Sequence, residues 1–261
     1  MANYIYSASF ATPTAVTASG SLDATNYPLA NVSDYTHPFR VWKCDTLTSG
    51  TSSCILNFGA ATTLVALVID NINVAAVKVQ YSTNGTDWTD TPGATTVSLD
   101  LTDGRYKAYV ALSSWTYQYL RVLANTSTST DGGAYFTIGS LLPLTAITTM
   151  TQNLSGEYSR QSHTAVDLND DFTSGTMSPL RLGDRTCTIT VSGPVQTNSS
   201  AVLGDLFTLG GTYHAAQPFV FYRNQADTSE VYIVRRIGDV TISQPGPNHV
   251  SVGQVILREV V

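Results

Sequence analysis

Residues 76–90, AVKVQYSTNGTDWTD, alternate apolar and polar side chains up to an Asn-Gly pair, and that alternation constrains the chain more than any other stretch. A period of two places Val77, Val79 and Tyr81 on one face of a strand and Lys78, Gln80 and Ser82 on the other. Asn84-Gly85 suits a type I′ turn, which needs positive φ at both central positions. With that two-residue loop Thr83 pairs with Thr86, and Tyr81 lies opposite Trp88 on the apolar face. Such an aromatic cross-strand pair contributes roughly 0.2–1 kcal/mol and helps to set the register. Trp88 therefore reads as a core residue rather than a ligand platform.

The same short-period pattern recurs through the first half. Strands are expected at 39–44, 54–58, 63–70, 76–83, 86–89, 94–99, 106–112, 117–123 and 134–139. The run TLVALVID at 63–70 is continuously apolar, as in a strand buried on both faces. Many short strands at this spacing predict a sandwich. The pattern breaks at GSLLPLTAITTM, where Pro143 interrupts it, and a boundary is placed around 142–148. A first domain, 1–145, and a second, 146–261, follow. In the second, NSSAVLGDLFTLGG spaces its apolar residues as a short helix, with Asn198 or Ser199 to cap it and Gly210-Gly211 to end it. TCTITVS, PFVFYR, EVYIVRRI, DVTIS and HVSVGQVILREV read as strands. The expected class is thus all-β dominated: an N-terminal β-sandwich plus a C-terminal β-rich domain with one short helix.

Charge is sparse, 12% of 261 residues, with a net of −6. No basic run exists, which argues against nucleic-acid binding. No apolar run approaches the roughly 18 residues of a membrane span. MANYIYSASF has neither the basic start nor the apolar core of a secretory signal. Of three cysteines, Cys44 and Cys54 flank DTLTSGTSS. They read either as neighbours on adjacent strands or, preferably, as two reduced, half-buried thiols. No Cys/His cluster argues for zinc. DLNDD at 167–171 lacks the EF-hand spacing and reads as a solvated acidic loop. His37, His163, His214 and His249 fall in separate segments, and no nucleophile or phosphate-loop motif is present. Neither an enzyme nor a cofactor or metal site is expected.

Residues 28–125 resemble the discoidin-like, galactose-binding-like β-sandwich family. The matching elements come in the family's order: LANVSDYTHPFRVWKC, CILNFGAATTLVALVIDNI, AVKVQYSTNGTDWTD and YQYLRVLA. The resemblance implies a module that binds sugars, lipids or proteins through loops at one end of the sandwich. The family's calcium loop is not carried over. Its Asp-Gly and its Thr two residues before the Trp are absent, and this chain has Asp34-Tyr35 and Arg40 there. Trp42 matches a core Trp. Aromatic residues in or beside the expected loops (Tyr35, His37, Trp115 and Tyr117) are the candidate ligand-binding residues, as rings able to stack on sugar.

The segment from LGGTYHAAQPFVFYRNQADTSEVYIVRRIGDVTIS to the terminal VILREVV is similar to the ring-forming domain of distal tail and minor tail proteins of tailed phages. That resemblance implies a virion structural protein of the tail tip or baseplate, assembled in the host cytoplasm and displaying a carbohydrate-binding-like module. It implies a homo-oligomeric ring of six copies, other tail and baseplate proteins as neighbours, and a host surface glycan as ligand. The last strand, apolar and alternating, would make a poor exposed edge and invites a partner strand. The alternatives are a secreted or cell-surface carbohydrate-binding protein, adhesin-like, which needs an export route, and an accessory module of a polysaccharide-degrading enzyme.

Overall fold

The apolar run at 63–70 and the strand at 54–58 form one twenty-residue strand, and the stretches expected at 106–112 and 117–123 likewise merge into another. A computed structural model describes residues 5–19, 24–34, 40–94, 97–102, 105–150, 158–171, 176–195, 218–223, 230–238, 242–246 and 249–259. The expected helix after Asn198, together with Tyr35 and His37, lies outside the described residues. The fold is all-β with two antiparallel sheets, and a 3-10 turn at Leu29–Ser33 is the one helical element described. The chain divides into two compact units, Met1–Thr151 with Pro218–Ile233, and Gln152–Gln217 with Val234–Val261.

In the first unit the strands are β1 (Ile5–Ser7), β2 (Ala15–Ala18), β3 (Trp42–Cys44), β4 (Ser53–Ile72), β5 (Ala76–Ser82), β6 (Thr89–Asp90), β7 (Val97–Ser98), β8 (Asp100–Thr102), β9 (Arg105–Ala124), β10 (Phe136–Leu144) and β11 (Thr148–Thr149). The antiparallel β4–β9 ribbon runs from Ser53↔Leu123 to Ile72↔Tyr106, with a register shift between Asn57 and Thr62. There β4 passes through exposed Gly59, Ala60 and Ala61, with Gly59 at φ +77°. Extra residues on one strand bend a ribbon. The two halves of β4 consequently have different neighbours: β2 pairs with Cys54–Asn57 and β10 with Ala66–Ile72. Likewise β5 pairs with the late half of β9 and β8 with the early half. Leu56, Val77, Val79, Leu120 and Val122 from one half share a single core with Leu67, Ile69, Val110, Ile138 and Leu141 from the other. That shared core makes the unit a sandwich, and each such side chain contributes about 1.5–3 kcal/mol by leaving water.

The expectation of burial on both faces holds for residues 66–70, all buried. Leu67 and Ile69 point into the sandwich core. On the opposite face Tyr109, which pairs with Val68, stacks on Tyr222 of β14 (Phe219–Tyr222) at 4.3 Å and 17°. Lys107 lies with its ammonium 4.1 Å above the ring of Tyr232, in β15 (Val231–Ile237). A third layer, β1 beside β14 beside β15, therefore covers the outer face. Pro143 does not break β10. At Pro143 β10 has β4 on one side and, beyond the end of its pairing with β3 at Ile138, only the isolated Phe10↔Leu144 bridge on the other, so the missing N–H falls where no continuous ladder runs, and the Pro143 carbonyl accepts from the Ala11 amide at 2.8 Å.

In the second unit β13 (Thr176–Val195) lies between β12 (Tyr158–Asp171) and β17 (His249–Glu259), all antiparallel. β16 (Ile242–Gly246) and the last four residues of β15 also pair with β17. Val255 and Leu257 are buried and Arg258 is exposed, the alternation expected of the final strand.

The opening hairpin departs from expectation. Val77 and Val79 are buried and Lys78 and Gln80 half-buried, as the alternation requires. The turn, however, occupies 83–88. Gly85 has φ +76° but Asn84 does not take positive φ, so no type I′ turn forms. Instead the Asn84 Oδ1 accepts from the Thr86 and Asp87 amides at 2.9 and 3.0 Å, and the Ser82 hydroxyl accepts from the Gly85 amide at 2.9 Å. Side-chain capping of backbone donors stabilises this wider turn. Tyr81 consequently pairs with Thr89. Trp88 is half-buried and stacks under Arg121, whose Cζ lies 4.2 Å from its ring, so Trp88 is not the core residue that the alternation implied.

Cys44 and Cys54 are free and buried, and β10 separates their strands, so they are not cross-strand neighbours. Burial pushes the Cys54 thiol up, only partly offset by a hydrogen bond at Ile55. The thiolate is the reactive form. In a Cys187→Ser chain, neither thiol is therefore expected to react with an aromatic disulfide reagent until the protein unfolds. Stoichiometric labelling of the folded protein would contradict their placement.

Candidate functional site

The segment joining β2 to β3 shapes a cleft at one end of the sandwich. Pro28 starts the 3-10 turn with φ −64°, and the Asn31 amide closes onto the Pro28 carbonyl at 3.0 Å. Val32 anchors the turn by entering the core. The Asn31 side-chain amide donates to the Val41 carbonyl at 2.9 Å, tying the turn to the start of β3. Between them lies a cleft of about 430 Å³ lined by Thr25, Asn26, Tyr27, Pro28, Asn31, Arg40 and Val41. Ligand pockets span roughly 300–1,000 Å³.

Lys43 borders this cleft. Trp42 and Cys44 point into the core, so alternation turns Lys43 outward. Its ammonium sits 5.3 Å from the Tyr27 ring centre and 4.0 Å from that of Tyr135. The Tyr135 hydroxyl donates to Asp131 Oδ2 at 2.6 Å, while Asp131 Oδ1 accepts from the Ser129 hydroxyl at 2.6 Å and the Gly133 amide at 3.2 Å. Partial burial pushes the Asp131 carboxyl up, but these hydrogen bonds outweigh it and hold the group below its ordinary range. The hydrogen bond to Asp131 in turn raises the Tyr135 phenol. Asn73 fixes the loop that carries both. Its side-chain amide donates to the Tyr135 carbonyl at 3.0 Å, its Oδ1 accepts from the buried Thr137 amide at 2.8 Å, and its own carbonyl accepts from the Thr130 amide at 2.8 Å.

Of the four ring-bearing residues expected to meet a ligand, Trp115 is 1% exposed and packs edge-on against Phe58 and Tyr117. It offers no ring face to solvent, which corrects the reading of Trp115 as a stacking surface. Tyr117 is half-buried and stacks on Tyr81 at 3.8 Å and 19°. Neither lines the cleft. Tyr35 and His37 fall outside the described residues. The cleft residue Tyr27 and the neighbouring Lys43 and Tyr135 were not singled out in the sequence, and Arg40 appeared there only as a departure from the calcium pattern. The outward turn of Lys43 was the one available signal.

A larger cleft of about 790 Å³ lies among Ile5, Pro92, Val97, Tyr109, Ile147 and Tyr222. Its two tyrosines are 7% and 2% exposed and occupy each other's faces. With no charged lining residue, it offers fewer directional contacts than the smaller cleft. Among the described residues no group of three His, Cys, Asp or Glu side chains is placed to hold a metal ion.

No family model matches the chain, and no curated protein does. Solved structures similar to it include a pectin-binding carbohydrate-binding module, at 17% identity and TM-score 0.41 over 51% of this chain and 91% of that one. Another is chitosan-binding module 2 with chitotriose, from the chitosanase/glucanase of Paenibacillus sp. IK-5, at 18% identity and TM-score 0.41 over 51% of this chain and 98% of that one. A third is SpGH29, at 15% identity and TM-score 0.40, of which this chain spans 27%.

Proposed function

We propose that the first unit is a saccharide-binding module and that its site is the cleft of Tyr27, Asn31 and Arg40. The observation that carries this is the convergence at the sandwich end of one aromatic ring, one anchored amide and one guanidinium around a cleft of about 430 Å³. Saccharides present both apolar ring faces and hydroxyl groups. An aromatic ring buries the former, and fixed polar groups orient the latter. The site asks for no catalytic group and no metal. Tyr27→Ala is expected to weaken glycan binding at least roughly tenfold, as truncation of a central aromatic contact does. A glycan array followed by titration calorimetry checks this. An array without a single ligand, or affinity unchanged in Tyr27→Ala, would overturn the assignment.

We further propose that the C-terminal region, residues 146–261, joins copies into a ring of six at a tailed-phage tail tip. The support is the sequence cadence after residue 210, together with the strands β15 and β17 within it. Native mass spectrometry of the full chain reads the copy number directly.

A further inference from the structure

We infer that the cleft selects an acidic saccharide, one carrying a sugar carboxylate, over its neutral counterpart; this rests on the cleft being a saccharide site. The chain is acidic overall, with 13 Lys and Arg against 19 Asp and Glu. Against that balance Arg40 lines this cleft and Lys43 stands beside its Tyr27, and no carboxylate is among the described lining residues. Arg40 is exposed on the wall and makes no hydrogen bond or ion pair with any described residue. Its fork of N–H donors matches a carboxylate in bidentate geometry. Lys43 adds a second charge beside Tyr27, held over the Tyr135 ring at 4.0 Å. That stacking limits its motion before any ligand arrives, so less ordering is lost on binding.

The nearby acid is engaged by other partners. Asp131 stands at the phenol end of Tyr135, with its oxygens engaged by Ser129, Gly133 and Tyr135. Asp34 ends the 3-10 turn, its amide on the Asn31 carbonyl, and is not part of the lining. Asp45 follows β3 and is likewise not part of it. A ligand carboxylate entering beside Tyr27 would meet Arg40 and Lys43, with no carboxylate among the described lining residues to compete.

The test uses the full chain with trigalacturonate and its fully methyl-esterified form, which share rings and linkages but differ in charge. The acid form is expected to bind at least roughly tenfold more tightly at low salt, with the gap narrowing as salt screens the charges. Arg40→Gln should remove most of that gap, weakening the acid form several-fold more than the ester. Arg40 is exposed, and an unchanged thermal midpoint confirms that the variant folds. Equal binding of the two forms would overturn the acidic preference while leaving the cleft a saccharide site. Failure of both, with a blank array, would overturn the saccharide reading itself. Inorganic sulfate displacing trigalacturonate at equal concentration would reduce the site to a general anion site and also overturn the inference.

Discussion

Trp115→Ala is expected to destabilise the first unit by about 3–5 kcal/mol, the usual cost of removing a buried tryptophan. The ring is 1% exposed and sits between Phe58 at 6.0 Å and Tyr117 at 5.4 Å, both edge-on. Its removal takes away the packing that joins the bend of β4 to β9. Trp88→Ala is the contrast. That ring is half-buried in a turn, with one face against Arg121, an arrangement worth about 0.5–1 kcal/mol at an exposed site. All three tryptophans lie in the first unit, so urea unfolding followed by the fluorescence of the remaining two reports on that unit. A loss below about 1 kcal/mol in Trp115→Ala would contradict its core placement. Equal losses in the two variants would restore Trp88 to the core.

Asn73→Ala is expected to cost about 2–4 kcal/mol, because it orphans two backbone groups at roughly 1–3 kcal/mol each. The Thr137 amide is buried and loses its acceptor, and the Tyr135 carbonyl loses its donor. The damage reaches the cleft, since Tyr135 holds Lys43. Asn73→Asp keeps the acceptor for Thr137 and forfeits the donation to Tyr135, so its loss should be the smaller. Amide exchange at Thr137 should accelerate in Asn73→Ala and less in Asn73→Asp. Unchanged exchange in both would remove Asn73 from its anchoring role.

Much of the sandwich was legible because a strand's period is geometric. Val77 and Val79 are buried and Lys78 and Gln80 half-buried, as the alternation demanded. The apolar run at 63–70 meant burial on both faces, and β14 and β15 provide the second cover. The 83–88 turn was not legible, because Asn-Gly serves two turn chemistries. Asn can enter the left-handed region, or its side chain can cap the backbone as an acceptor, and here it caps. That choice moved Tyr81 from Trp88 to Thr89 across the strands and placed its ring on Tyr117. Trp115 and Trp88 have similarly polar neighbours in sequence; the 83–88 turn leaves Trp88 half-buried, while Phe58, next to the bend at Asn57–Thr62, encloses Trp115. The cleft was hidden for the same reason. Lys43 gains its setting from Tyr135 across the β3–β10 pair, a register that no local pattern encodes.

The most direct measurement is a two-dimensional amide spectrum of the ¹⁵N-labelled chain during titration with trigalacturonate. Perturbations are expected at the amides of Asn26, Tyr27, Asn31, Arg40, Val41 and Lys43, smaller ones at Tyr135, and none at residues 83–90. Shifts concentrated at 83–90, or around Tyr109 and Tyr222, with the cleft amides unmoved, would contradict the placement of the binding site.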